Sequence, residues 1–430
     1  MPTMQTNNRK VVLAGGARIP FCRAGTSYAK RTNQEIMTAA VKALVEKYKL
    51  QGKVLGDVSL GSVMNHAFDW NMAREVTLGS GLAFETPAFG VQRACGTSLE
   101  AAILIANKIA LGQIESGIAA GFDSMSDVPI EVGATMTQTL LKLSKAKTFG
   151  EKLGLIAGVR PAHFQPRYPG VTEPRTGLSM GQHCELMAKE WQLTQAEQDE
   201  LAVASHRNAA KAWEEGFYAD LVFPYSGASK DNNVRGDASL EKMAKLKPAF
   251  DRKSGKGTIT AGNATPLTDG AAAVLLCSED FAKKNNLPIQ AYFVDCEVAG
   301  VDFLEKKEGL LMAPAYAVPR MLERRGLKLQ DFDFYEIHEA FAAQVLCTLK
   351  AWDSDEFMRK RVGLAGKLGQ IDRSKMNVKG GSVAVGHPFG ATGARIVATL
   401  GKLLEQRGSG RGLISICTGG GMGVTAILER

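Results

Sequence analysis

One unit of this chain occurs twice, and that repetition restricts its fold more than any other feature. A β-rich run at 88–91 enters the stretch Val91-Gln92-Arg93-Ala94-Cys95-Gly96-Thr97-Ser98-Leu99, and an apolar helical run at 99–111 leaves it. Nearly three hundred residues on, Gly380-Gly381-Ser382-Val383-Ala384-Val385 enters Gly386-His387-Pro388, and a second helical run at 391–405 follows. Each half closes on a glycine turn and an apolar strand, Asp269-Gly270 into 270–276 and Gly421-Met422-Gly423 into 424–428. A period this long is an internal duplication, not a solenoid repeat. Two like halves packed together place their loop ends over one shared cleft.

The runs around these units alternate. Strands are expected over 10–14, 57–63, 88–91 and 118–120, with helices over 33–48, 70–79 and 99–111 between them. The second half gives strands over 292–298, 332–337, 412–416 and 424–428 and helices over 315–324, 340–349 and 391–405. Alternation of this kind predicts an α/β protein with a mostly parallel sheet. It stops at 124–178. There 140–156 mixes Lys142, Lys145, Lys147 and Lys152 with leucines, Phe149 and Ile156, and Pro161, Pro166, Pro169 and Pro174 predict extended loop. The mixed stretch reads either as a cap over the cleft with a solvated lysine face or as a surface for a membrane or partner. A helix at 180–191 follows, then a second opened by the capping box Thr194-Gln195-Ala196-Glu197 and running to about 215. Residues 226–246 read as loop-rich. A strand is expected at 258–260, a tight turn at 261–265 and a strand at 270–276.

Composition narrows the class. With 430 residues, 45% hydrophobic and 22% charged, the chain can bury a large core and has soluble globular character. No apolar run is long enough to span a bilayer, and the polar N-terminus has no secretory core. Seven cysteines, scattered singly, argue against a disulfide framework or zinc ribbon and for a reducing compartment, hence a cytoplasmic protein. The six histidines lack ligand spacing, so no metal is expected. The net charge of +8 fits an anionic substrate, an acidic partner or a membrane surface. Nucleic acid is not expected, because no zinc-finger or RNP-type signature is present.

Cys95, His387 and Cys417 all read as lying on loops after strands, where the ligand cleft of an open α/β sheet opens, and His338 follows the strand at 332–337. Cys95 at a helix start sits in a field that favours thiolate; a structural cysteine is the alternative. Cys95 with His387 supplies a nucleophile and a base. Cys417 offers a second acid/base, and Gly419-Gly420-Gly421 frees backbone N–H groups to meet an oxyanion. His387 as a turn residue, His338 as a satisfied core residue and an inert Cys417 remain open. Cys22, Cys184, Cys277, Cys296 and Cys347 read as packing residues. The run 386–393 lacks the Gly-Lys-Ser/Thr end of a P-loop, and 419–423 precedes a strand, so neither reads as a nucleotide site.

Six stretches together resemble the thiolase family: Arg93-Ala94-Cys95-Gly96-Thr97-Ser98, Thr260-Ala261-Gly262-Asn263-Ala264, Asp269-Gly270-Ala271-Ala272-Ala273, Glu339-Ala340-Phe341-Ala342, Gly386-His387-Pro388-Phe389-Gly390-Ala391-Thr392-Gly393 and Cys417-Thr418-Gly419-Gly420-Gly421. The resemblance implies a five-layer αβαβα fold of two similar halves, 1–123 plus 247–285 and 286–430, around an inserted loop domain at 124–246. It implies ping-pong chemistry on CoA thioesters, with coenzyme A as co-substrate, no tightly bound cofactor and no metal. Cys95 becomes the acylated nucleophile, His387 its general base and a help in holding the thioester oxyanion, and Cys417 the second proton carrier. The N–H groups of Cys95 and Gly419 form one oxyanion hole. Thr265 falls at the pantetheine contact, Lys247 at a CoA phosphate, and Ser179 and Met180 also fall to the CoA site. The family's usual Asn before Glu-Ala-Phe, which binds a water in the other oxyanion hole, is His338 here, and this histidine either donates a hydrogen bond there itself or holds the same water. That histidine, the stretch Thr265-Pro266-Leu267-Thr268-Asp269-Gly270 and the basic insertion look like the thiolase (β) subunit of multienzyme fatty-acid β-oxidation complexes. This implies degradative thiolysis of medium- to long-chain 3-ketoacyl-CoA in a bacterial cytoplasm. It also implies a homodimer core, a hydratase/3-hydroxyacyl-CoA dehydrogenase α subunit as partner in a hetero-oligomer, and a peripheral membrane contact. The alternatives are a biosynthetic acetoacetyl-CoA thiolase and a non-catalytic lipid- or partner-binding relative. A decarboxylating ketoacyl synthase fits less well, having no use for Cys417.

Overall fold

The computed structural model describes residues 9–430, and residues 1–8 of the polar N-terminus lie outside the described residues. The first half supplies strands β1 (Val11–Arg18), β2 (Asp57–Gly61), β3 (Ala88–Gly90), β4 (Ser116–Asp123) and β5 (Thr268–Ser278). The second supplies β6 (Ala291–Gly300), β7 (Phe334–Ile337), β8 (Arg411–Thr418) and β9 (Met422–Glu429). The main helices are α1 (Asn33–Lys47), α2 (Met72–Gly79), α3 (Thr97–Ala110), α4 (Ala134–Lys145), α5 (Phe149–Ala157), α6 (Met180–Glu190), α7 (Gln195–Glu214), α8 (Pro314–Arg325), α9 (Ala342–Trp352) and α10 (Thr392–Arg407). Their ends follow from local chemistry. Capping boxes at Thr32/Glu35, Ser179/Gln182 and Thr194/Glu197 start α1, α6 and α7, and left-handed Gly326 and Gly408 end α8 and α10.

The strands form one hydrogen-bonded array in the order β3-β2-β4-β5-β1-β6-β9-β8-β7. Going inward from β3, the pairings are parallel, parallel, antiparallel, antiparallel. Going inward from β7 they are parallel, antiparallel, antiparallel. The two halves therefore share one topology, and the duplication is real. The missing outer edge of the second half survives as a single parallel bridge, Tyr335 to Met376. The halves join where residues 11–13 of β1 pair antiparallel with residues 291–293 of β6. The mostly parallel sheet expected from the alternation needs one correction. β5 and β9 run against their neighbours and sit inside each half, so the ladders are mixed.

Helices α1 and α2 cover the outer face of the first half, α3 and α10 pack on each other between the halves, and α8 and α9 lie against the second half. The result is the five-layer αβαβα arrangement. Leu99 and Ile105 of α3 share the central apolar core with Ile396 and Leu400 of α10. Helices α6 and α7 belong to the second half's outer core, where Cys184, Met187 and Leu201 meet Val345 and Leu346 of α9.

Three local expectations fail for identifiable reasons. Residues 258–260 make no strand beyond a bridge from Thr260 to Pro248. Glu185 takes the N–H groups of Thr258 and Ile259 at 2.8 and 3.0 Å, and Asn263 takes that of Thr260 at 2.8 Å. The run before His387 is a one-turn helix, Ser382–Val385, not a strand. Asn377 and Gly380 turn the chain with φ of 46° and 86°, and Ser205 and Glu339 accept the N–H groups of Gly381 and Val383. The proline stretch includes a 3-10 turn, Pro161–Phe164, and a two-residue strand, Pro166–Arg167, paired with Glu131–Val132. Among the described residues no helix is long and apolar enough to cross a membrane.

Candidate active site

The elbow that carries Cys95 is held under strain. Ala94 has φ of 43°, a left-handed conformation that costs an alanine energy. Thr97 braces it, donating to the Ala94 carbonyl at 2.7 Å and accepting from Arg93 N–H at 2.9 Å. The turn presents the Cys95 side chain at the start of α3, whose cap, Gly96, offers no side-chain partner to the helix. On the opposite half, Gly386 turns the chain at φ of 101° to present His387. A side chain there would collide with Asn233 and Thr268. The elbows are fastened to each other. Ser98 accepts the N–H of Ala394 at 2.8 Å, and a Cβ on Gly393 would stand 2.3 Å from the Leu99 nitrogen. Asp123, at the end of β4, accepts from Gly390, Val63 and Met64 and so ties three loops together. Burial pushes its carboxyl up to about 7.

These loops enclose a cavity of about 380 Å³, of the size that holds an elongated small-molecule segment. Cys95, His387, Cys417 and Gly419 form its polar end, and Val171, Met180, Phe250, Leu267, Leu311, Phe341 and Phe389 make it apolar. Of the residues expected from the sequence, Ser179, Met180 and Thr265 also line it. His338 lies beneath the wall, fully buried, with a ring nitrogen within 4.8 Å of the Cys95 sulfur and of a ring nitrogen of His387. Lys247 is exposed, three residues before Phe250, and is not part of the wall. Ser179 and Thr265 use their hydroxyls locally. Ser179 caps α6 at 3.2 Å, and Thr265 donates to the Ala340 carbonyl at 3.1 Å. Cys417 is the penultimate residue of β8 rather than a loop residue.

The electrostatics overturn one expectation. The helix start does not give Cys95 a low pKa. Burial of its surroundings pushes the thiol up to about 12, against the pull of the Gly419 N–H, although the residue itself keeps partial exposure to the cavity. Burial raises Cys417 well above the usual thiol range. Burial lowers His387 to about 3, helped by the positive charge of Arg395, and holds His338 well below its ordinary value. The resting site is therefore a neutral thiol among neutral imidazoles. The Thr392 hydroxyl donates to the Pro388 carbonyl at 3.2 Å and lies 2.6 Å from His387 Nδ1. It thus accepts from Nδ1–H and leaves Nε2 as a bare base, buried with no partner among the described residues. A thiol beside such a nitrogen can pass over its proton and attack a carbonyl.

Both halves of the chain match family models, "Thiolase, N-terminal domain" over residues 11–280 and "Thiolase, C-terminal domain" over 287–430. The chain belongs to the thiolase family. A 3-ketoacyl-CoA thiolase of Pectobacterium carotovorum subsp. carotovorum is 42% identical over 100% of this chain and 98% of its own length. One from Vibrio cholerae is 42% identical over 98% of each. Among solved structures, the Bacillus anthracis acetyl-CoA acetyltransferase superposes with a TM-score of 0.80 at 31% identity, covering 99% of this chain and 100% of that one. The human mitochondrial 3-ketoacyl-CoA thiolase in complex with CoA gives 0.80 at 29% identity, covering 98% of each. The thiolase chain is thus an acyltransferase whose relatives act on CoA thioesters.

Several residues around the thiolase cavity escape sequence reasoning. Glu173, from the stretch between β4 and α6, accepts the Gly420 N–H at 2.5 Å and fixes the glycine turn from outside. Glu339 is buried and accepts from Ser205, Asn377 and Val383. A Cβ on Gly381 would stand 2.1 Å from its carboxyl carbon. Glu339 lies within a recognised motif, yet nothing in its spacing reveals which backbone groups it holds. Ser382 and Arg395 stand behind His338 and carry no sequence signal of their own.

Proposed function

We propose that the chain is a 3-ketoacyl-CoA thiolase that cleaves medium- and long-chain 3-ketoacyl-CoA with CoA, giving acetyl-CoA and a shortened acyl-CoA in fatty-acid β-oxidation. The observation that carries this reading is the meeting of Cys95, His387 and Cys417 at the polar end of one apolar cavity. His387 Nε2 takes the Cys95 proton as the sulfur adds to the 3-keto carbon. The bond between C2 and C3 then breaks, its electron pair leaves on C2, and Cys417 protonates that carbon to release acetyl-CoA. The acyl group stays on Cys95 as a thioester. CoA–SH gives its proton to the Cys417 thiolate and attacks this thioester. Cys95 leaves and recovers its proton from His387. The N–H groups of Cys95 and Gly419 serve the acyl oxyanion and His338 serves the thioester oxygen. Thr265, Ser179 and Met180 border the pantetheine path, and exposed Lys247 meets a CoA phosphate at the surface. CoA is co-substrate, with no resident cofactor or metal.

The same reading divides the chain into 1–123 plus 247–285, the insertion 124–246 and 286–430. It makes the protein a homodimer that associates in the bacterial cytoplasm with a hydratase/3-hydroxyacyl-CoA dehydrogenase subunit and touches a membrane peripherally. Two surfaces support the assembly. The free edge at β3 adjoins exposed Trp70, and the α4–α5 hairpin exposes Leu140, Leu141, Phe149, Leu153 and Ile156 among lysines.

Thiolysis rates across an acyl series from four to sixteen carbons test the substrate class, a span on the order of that which separates short- from long-chain tails by burial of successive methylenes. The expected result is kcat/KM rising from the acetoacetyl substrate to the longer chains. Activity confined to acetoacetyl-CoA would assign the biosynthetic alternative.

A further inference from the structure

His338 and His387 are two imidazoles with ring centroids 4.2 Å apart, yet their hydrogen-bond partners differ in kind. Behind His387 stands a hydroxyl that spends its proton on the Pro388 carbonyl. Behind His338 stands Ser382, whose oxygen lies 2.8 Å from Nδ1. The same oxygen receives Arg395 Nη2 at 2.8 Å. A guanidinium only donates, so Ser382 has one lone pair occupied. Its own proton then needs an acceptor, and among the described residues Nδ1 of His338 is the one acceptor its side chain reaches. The Ser382 hydroxyl therefore donates to Nδ1. A neutral ring with a bare Nδ1 carries its proton on Nε2. That Nε2 is buried with no partner among the described residues, and one nitrogen of the ring stands within 4.8 Å of the Cys95 sulfur and of a His387 ring nitrogen. Arg395 is itself buried, with its guanidinium 3.7 Å from the side chain of Glu336.

We propose that Arg395 and Ser382 are positioning residues that lock His338 in its Nε2–H form, so that the two adjacent histidines present opposite faces to the cavity, His387 a base and His338 a fixed donor to the substrate thioester oxygen. The inference rests on the thiolase reading of Cys95 and deepens it. A histidine in place of an amide side chain has two tautomers, and only one can stabilise an oxyanion. The guanidinium removes the choice. Because Arg395 occupies the serine oxygen, the hydroxyl cannot rotate to accept from Nδ1 without leaving its own proton unpaired in a buried site.

The test is a double-mutant cycle in the full-length chain, read by thiolysis kinetics, with Ser382→Ala, His338→Asn and the pair. Alongside it, nitrogen-15 NMR of histidine-labelled protein reads the tautomer of His338 directly, with the His338→Asn variant giving the assignment. The expected results are a fall in kcat of about tenfold or more for Ser382→Ala with little change in KM, and no further fall when Ser382→Ala is added to His338→Asn. The wild-type spectrum shows His338 protonated on Nε2, and Ser382→Ala shifts it toward a mixture. Wild-type kcat in Ser382→Ala overturns the proposal. So does an equal loss in both backgrounds, or a wild-type His338 protonated on Nδ1. A wild-type protein that leaves no acyl group on Cys95 refutes the thiolase reading instead, and the NMR arm still decides the tautomer.

Discussion

At Cys95 two physical effects oppose each other. The start of α3 favours a thiolate, while enclosure by protein favours the neutral thiol, and enclosure wins. Cys95 and His387 were readable from the sequence because each stands in a glycine-bearing turn, and Cys417 because a glycine run follows it closely. The protonation balance was not, since burial comes from the facing half of the chain. A thiol raised to about 12 stays mostly protonated at neutral pH, and its thiolate fraction grows with every step toward alkaline pH. Alkylation of Cys95 by iodoacetamide, followed by peptide mass spectrometry, is therefore expected to accelerate continuously between about pH 6 and 9, because the thiolate is the reactive form. A rate already at plateau near pH 6 would mean a preformed thiolate and would refute the neutral pair.

Among the elements, those with strong internal periodicity or caps fell where the sequence placed them. Helix α7 opens on its capping box at Thr194, and α1 buries Ile36, Ala40 and Leu44 as one face. Elements fixed by distant partners did not. Residues 258–260 lost their strand to the carboxylate of Glu185, and the run before His387 coiled because Glu339 and Ser205 claim its N–H groups. The α4–α5 hairpin has little burial of its own, with only Met136 of the two helices buried. Under the proposed membrane contact its exposed lysines would meet anionic headgroups and its exposed apolar residues the interface. Replacing Lys142, Lys145, Lys147 and Lys152 together by Glu is expected to abolish sedimentation with phosphatidylglycerol vesicles while thiolysis stays at the parent rate. Unchanged sedimentation would reduce the hairpin to a plain cap.

For the whole molecule, the duplication visible in the sequence becomes a shared strand order, and its purpose is to bring two elbows together through α3 and α10. Half a site comes from each half: a strained turn with the thiol, a glycine turn with the base. Assembly was less readable, because an exposed edge and its flanking aromatics emerge only when strands are placed. Trp70, 90% exposed beside the open β3 edge, is the residue most in need of a cover. Trp70→Glu is expected to convert a dimer to monomer in sedimentation velocity; a dimer unaffected by it would put the interface elsewhere. The central claim is that the two halves make one covalent acyl-transfer site. Its most direct measurement is the mass of the Cys95 peptide after rapid quenching of the Cys417→Ala variant with a 3-ketoacyl-CoA in the absence of free CoA. The expected result is an acyl group, shorter than the substrate by the two acetyl carbons, on Cys95 alone at low yield, with wild-type protein acylated faster on the same residue. An unmodified Cys95, or an acyl group on any other cysteine, would contradict it.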